Sequence, residues 1–63
     1  MVTREAIYKL PKPKLLDALE CIDQHFWPHA PTRQTVATLR EAIWKAVKAD
    51  RYRPDRLAGL VEG

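Results

Sequence analysis

Apolar residues recur at helical spacing in two stretches of this chain. Leu15, Leu19, Ile22 and Phe26 follow at steps of four, three and four, which puts them on one helical face, with Asp17, Glu20 and Gln24 opposite. Val36, Leu39, Ile43, Ala46 and Val47 repeat the pattern, and Ala37, Ala42 and Ala49 add helix propensity. These stripes predict helices over about 13–26 and 32–50. Pro13 suits a first helical turn, where its missing N–H costs nothing, and Thr32 suits an N-cap. Between the stripes, Trp27-Pro28-His29-Ala30-Pro31 reads as a stiff connection of a length that favours antiparallel neighbours. Two short elements flank the pair. Thr3 caps a segment over about 4–9, with Glu5 in its first turn, which Pro11 and Pro13 stop. Pro54 opens a turn over about 54–58 that Gly59 is expected to end, leaving Leu60 and Val61 to fold back or fray.

The fold class expected from this pattern is all-α: one small domain over 1–63, built on an antiparallel helical hairpin. Two helices bury one stripe against the other and leave a layer open to water. Trp44 and Arg40 widen the second stripe beyond what one partner helix covers. Burying a large apolar side chain is worth roughly 1.5–3 kcal/mol, against roughly 1.5 kcal/mol of ordering per residue. A lone hairpin therefore closes near zero. Pairing into a four-helix-bundle homodimer covers the open layer, with Leu15, Leu19, Ile22 and Phe26 of one helix at the interface. Val36, Leu39, Ile43 and Val47 are the interface positions of the other. The alternative is a three-helix monomer with the terminal segments as lids.

With 46% apolar and 30% charged residues the 63-residue chain is not disordered by composition. One cysteine excludes an internal disulfide, and no secretory apolar region is evident, so a reducing, cytoplasmic setting is expected. No apolar run is long enough to span a bilayer.

Candidate chemistry is sparse. Asp17, Cys21, His25 and His29 are spaced by four residues, and the first three would share a helical flank bearing zinc-ligand types. His29 lies beyond Pro28, where the helical phase is lost, and paired Cys-x-x-Cys spacing is absent. The flank therefore reads as a polar surface with one buried thiol, and neither metal nor cofactor is expected. Cys21 near His25 resembles a thiol–imidazole pair in spacing alone, without a second element to form a pocket. There is no serine and no glycine-rich phosphate loop, so no enzyme is expected. Net charge is +3, from eleven basic and eight acidic residues. Two basic clusters, Lys9/Lys12/Lys14 and Arg51/Arg53/Arg56, would fall at one end of an antiparallel hairpin and could meet phosphates there.

The stretch Pro31-Thr32-Arg33-Gln34-Thr35-Val36-Ala37 resembles the start of recognition helices in helix-turn-helix regulators of the lac-repressor type, and the opening of winged-helix repressors of the SOS type. That likeness implies DNA contact through Arg33 and Gln34. The spacing of the tight turn is missing, and the linker carries two prolines. In size and helical layout the chain also resembles small early-region proteins of lambdoid bacteriophages, which implies a regulatory viral protein acting in the host cytoplasm. The layout is similar, too, to plasmid copy-control RNA-binding hairpin dimers, but architecture does not transfer function.

The function expected from these residues is a non-enzymatic regulatory module, a helical homodimer that binds a host or regulatory protein. Trp27 and Trp44 are its expected contact anchors, since tryptophan is enriched at interface hot spots. The alternative is a DNA- or RNA-binding hairpin acting in transcription control.

Overall fold

A computed structural model describes residues 2–62. Its described residues form four helices: α1 (Arg4–Tyr8), α2 (Lys12–Leu19), α3 (Val36–Lys48) and α4 (Pro54–Glu62), with 3-10 turns at Gln24–Phe26 and Pro31–Arg33. The all-α expectation holds, with no strand among the described residues.

α1 starts as its sequence predicts: the Thr3 hydroxyl accepts the Ala6 N–H at 3.1 Å, and Glu5 sits in the first turn where the dipole favours an anion. α2 begins at the proline elbow, with Pro11 extended and Pro13 inside the first turn.

α2 then stops seven residues before the position its apolar spacing predicts. Glu20, Cys21 and Ile22 each donate backward to a carbonyl three residues earlier, tightening the last turn. The chain then leaves the helix, because Asp23 N–H donates to Arg51 O (2.9 Å) and Arg53 N–H donates to Cys21 O (2.7 Å). These two bonds make an antiparallel bridge between Ile22 and Tyr52. Ile22 is buried by that bridge, and Phe26 is half-buried on a separate 3-10 turn, which the Asp23 carboxylate opens by accepting His25 N–H. Their helical spacing with Leu15 and Leu19 does not reflect one helix.

The second long helix also starts late. Ala30 takes a left-handed conformation (φ 52°), Pro31–Arg33 forms one 3-10 turn, and Gln34 is extended. The cap is therefore Thr35, whose hydroxyl accepts Thr38 N–H at 3.3 Å, and not Thr32. α3 ends in a Schellman motif: Arg51 N–H donates to Ala46 O and Asp50 N–H to Val47 O, with Asp50 left-handed at φ 57°. α4 runs through Gly59, which lies inside the helix and does not end it.

The bridge brings the carboxy-terminal ends of α2 and α3 together. At their other ends, Lys12 Nζ donates to Thr32 O at 3.4 Å, on the approach to α3. The two helices thus point toward a common end, whereas an antiparallel hairpin would set the end of α2 at the start of α3. Residues 20–35 travel back along the molecule to make this possible. α4 starts beside the bridge, and its last turn shares a groove with Lys9, Leu10, Pro11 and Lys14 at the start of α2. It therefore returns antiparallel to α2.

Each helix contributes to one core: Ile7, Leu15, Leu39, Ile43 and Leu57 are fully buried, and Leu19 and Ile22 nearly so. The terminal helices close the layer that a two-helix hairpin leaves open. The accessible surface of 4375 Å² is near the roughly 4,200 Å² expected for a folded monomer of this mass. The radius of gyration, 10.1 Å, matches the roughly 10.6 Å of a compact domain of this length. Leu15, Leu19, Ile22, Leu39 and Ile43, expected at a dimer interface, are interior residues of the single chain. Of that set, only Phe26, Val36 and Val47 keep substantial exposure.

Two stability effects follow. A Cβ at Gly59 meets nothing within 4 Å, so Gly59→Ala should gain about 0.5–1 kcal/mol of helix propensity. At about 4–8 °C per kcal/mol for a domain of this size, thermal denaturation should show a rise of several degrees. Ile43→Asp puts an unpaired charge among fully buried side chains, at a cost comparable with the whole stability of a chain this small, roughly 3–5 kcal/mol. Circular dichroism should show loss of helix for Ile43→Asp and little change for Lys45→Asp on the exposed face.

Candidate functional site

α3 buries Leu39, Ala42, Ile43 and Ala46. Beside that stripe runs a second one at steps of four, four and three: Val36, Arg40, Trp44 and Val47, all half-buried. Glu41, Lys45 and Lys48 are exposed. The flanking stripe is where α3 meets α1. The Arg40 guanidinium carbon lies 5.5 Å from the centre of the Tyr8 ring, and that of Arg4, one turn before Tyr8, lies 4.9 Å from it. Both are within cation–π reach. Arg40 Nε is buried and has no hydrogen-bond partner among the described residues.

The two tryptophans differ in what holds them. Trp27 Nε1 donates to Leu19 O at 2.6 Å, so its indole closes the end of α2 and satisfies a terminal carbonyl. Trp44 makes no hydrogen bond among the described residues and is half-buried. Its side chain packs against the core and stays partly exposed.

The Asp17, Cys21, His25 and His29 set is not brought together: no group of three metal-ligating side chains is close enough to hold an ion among the described residues. α2 ends before Cys21, so the four-residue spacing loses its common face. The Cys21 thiol is buried and donates to Asp17 O at 3.8 Å, while His25 lies on the 3-10 turn, edge-on to Phe26 at 5.6 Å. Burial raises the Cys21 pKa above its ordinary 9.0, an effect opposed in part by the positive charge of Arg56. A thiol held protonated is a poor nucleophile.

A groove of about 680 Å³ lies where the ends of α2 and α3 converge, with Glu20, Asp23, Gln24, Trp27, Arg51 and Arg53 among its walls. The carboxylates of Glu20, Asp23 and Asp50 share that lining with the guanidinium groups of Arg51 and Arg53, so its charge is locally compensated. The two basic clusters do not share an end of the molecule. Arg51 and Arg53 line this groove, and Arg56 lies in the first turn of α4 beside it. Lys9 and Lys14 line the groove at the start of α2, with Lys12 and Arg33 near the Thr32 turn. The single basic end expected of a hairpin is corrected, because α2 and α3 point the same way. α2 and α3 do not form a helix-turn-helix pair: residues 20–35 separate them where that motif has a turn of three or four residues. Arg33 stands in a 3-10 turn and Gln34 folds its side chain back to His29 O, so neither opens a helix.

Tyr8 and Arg4 do not stand out in the sequence. Their four-residue spacing on a short helix is a legible signal, but the contact with Arg40 joins positions far apart in the chain. No protein-family model, curated protein or solved structure matches this chain.

Burial of Cys21 has a measurable consequence. At pH 7.5 a disulfide reagent should modify the native thiol far more slowly than the unfolded chain in guanidinium chloride. The folded pKa is raised, so the folded state holds its proton longer than the unfolded state. Stability from this group is full below 9.0 and should decline as pH rises above 9.0 and through the raised folded value, which denaturation curves at stepped pH would register.

Proposed function

We propose that this protein is a non-enzymatic interaction module that binds another protein through the Val36–Arg40–Trp44–Val47 flank of α3. The observation that carries the reading is Trp44: a half-buried indole that packs on the core and forms no hydrogen bond among the described residues, unlike Trp27. A large aromatic ring already fixed by its fold loses little entropy on docking, which is the usual character of an interface hot spot. Trp27 is left out of this surface, because its ring and N–H are engaged at the end of α2. Pairing of two copies is not needed to close the core and forms no part of the proposal. Binding of nucleic acid is the weaker reading, since the basic clusters lie apart and Arg51 and Arg53 share their groove with Glu20 and Asp23.

The test is capture of partners from extract by wild-type protein and by Trp44→Ala, followed by reconstitution of the binary complex. Trp44→Ala should keep its helical circular dichroism and lose at least about 2 kcal/mol of binding, roughly thirtyfold in Kd. Lys45→Ala, on the exposed face, should bind as wild type. A partner held equally by wild type and Trp44→Ala would overturn the reading, and so would binding only to duplex DNA or RNA with a steep salt dependence.

A further inference from the structure

The flank that carries the proposed function also carries two guanidinium groups without a counter-charge. Arg4 and Arg40 both sit over Tyr8, and neither forms an ion pair among the described residues. Two positive charges around one ring concentrate positive potential at Tyr8, which favours an incoming anion. Lys48, four residues beyond Trp44, adds a third cation along the same line, and Glu41 is the acidic residue of α3 at its edge.

We propose that this surface binds an acidic, amphipathic segment of a partner protein. Apolar side chains of the segment would lie against Val36, Trp44 and Val47, and a carboxylate would be taken by Arg40, with Arg4 adding to the positive field around Tyr8. The inference rests on the protein-binding reading above and adds the chemistry of the partner. Three features of Arg40 support it. Its guanidinium is held by the Tyr8 ring, so little freedom is lost when it is bonded. Its Nε is buried and unpaired, which partly desolvates the cation and strengthens its pull on a negative group. With Nε enclosed, the terminal nitrogens are left to take a carboxylate end-on, a charge-assisted bond. The apolar neighbours on the same stripe shield that bond from water, as the rim of a hot spot does.

The experiment uses the full chain and a fluorescein-labelled amphipathic peptide with leucine on one helical face and glutamate on the other. Its counterpart has glutamine for each glutamate. Anisotropy titrations should show the glutamate peptide binding, and the glutamine peptide binding at least about tenfold more weakly. Arg40→Gln should lose about tenfold in affinity for the glutamate peptide, and exposed Arg4→Gln a smaller but measurable part of that, which covers the case where Arg40→Gln unfolds. Arg51→Gln removes the same charge at the far groove and should change affinity less than about twofold. Equal losses from Arg40→Gln and Arg51→Gln would mean attraction to net charge alone and would overturn the proposal. So would equal binding of both peptides, no binding at about 200 µM protein, or an RNA oligonucleotide that occupies the Arg40 site more tightly than the peptide. If the peptide fails while Trp44-dependent capture of a native partner persists, the protein-binding reading stands and the acidic character of the partner falls. Loss of both removes both.

Discussion

Two backbone hydrogen bonds between residues 21–23 and 51–53 set the path of this chain. They tie the last turn of α2 to the chain leaving α3, and every other placement follows from that junction. With the two carboxy-terminal ends held together, residues 20–35 must run back to the start of α3, and α4 must depart from the same point. Only then can α4 return along α2 and put Leu57 into the core beside Ile7, Leu15, Leu39 and Ile43. The bridge also satisfies polar backbone groups that the early end of α2 would otherwise leave bare beside a buried Cys21 and Ile22.

The junction is supported by local devices of different cost. The Trp27 indole donates to Leu19 O, and Asp23 both joins the bridge and opens the following 3-10 turn. Asp50 takes the left-handed position of the Schellman motif, where aspartate is tolerated better than most side chains. Ala30 takes a similar conformation with no side-chain bond to offset it, which makes it the more strained of the two. The strain falls in an exposed connection and turns the chain into the Pro31–Arg33 turn, whose carbonyl at Thr32 meets Lys12.

Closing the core within one chain decides which apolar side chains stay at the surface. Leu15, Leu19, Leu39 and Ile43 are spent on the interior, and Val36, Trp44 and Val47 on the flank of α3 are among the apolar side chains that stay partly exposed. There the short α1 brings an aromatic ring and Arg4 up to Arg40, beside Trp44. Apolar contact and positive charge thus occur on one strip, while at the far groove carboxylates lie among the arginines.

Helix content, the Thr3 cap, the proline elbow and the apolar identity of Leu15, Leu19, Leu39 and Ile43 were legible in the residues, because they rest on local propensity and periodicity. Trp44 stood out as an aromatic at the edge of a stripe for the same reason. The end of α2, the choice of Thr35 over Thr32 as a cap and the continuation of α4 through Gly59 were not. In each case local signals admitted two answers, and packing chose between them. Ile22 and Phe26 continue the helical spacing of Leu15 and Leu19, yet a non-local bridge bonds the backbone at 21–23 instead. Direction of packing is likewise absent from periodicity, which is the same for parallel and antiparallel neighbours. Residue pattern alone settled that the chain forms amphipathic helices and that Leu15, Leu19, Leu39 and Ile43 leave water, whereas the burial of Ile7 and Leu57 and the exposure of Phe26, Val36 and Val47 came from packing. Tertiary structure alone decided that α2 and α3 point to a common end, that the two basic clusters part, and that Tyr8 meets Arg40, because those depend on contacts between residues distant in the chain.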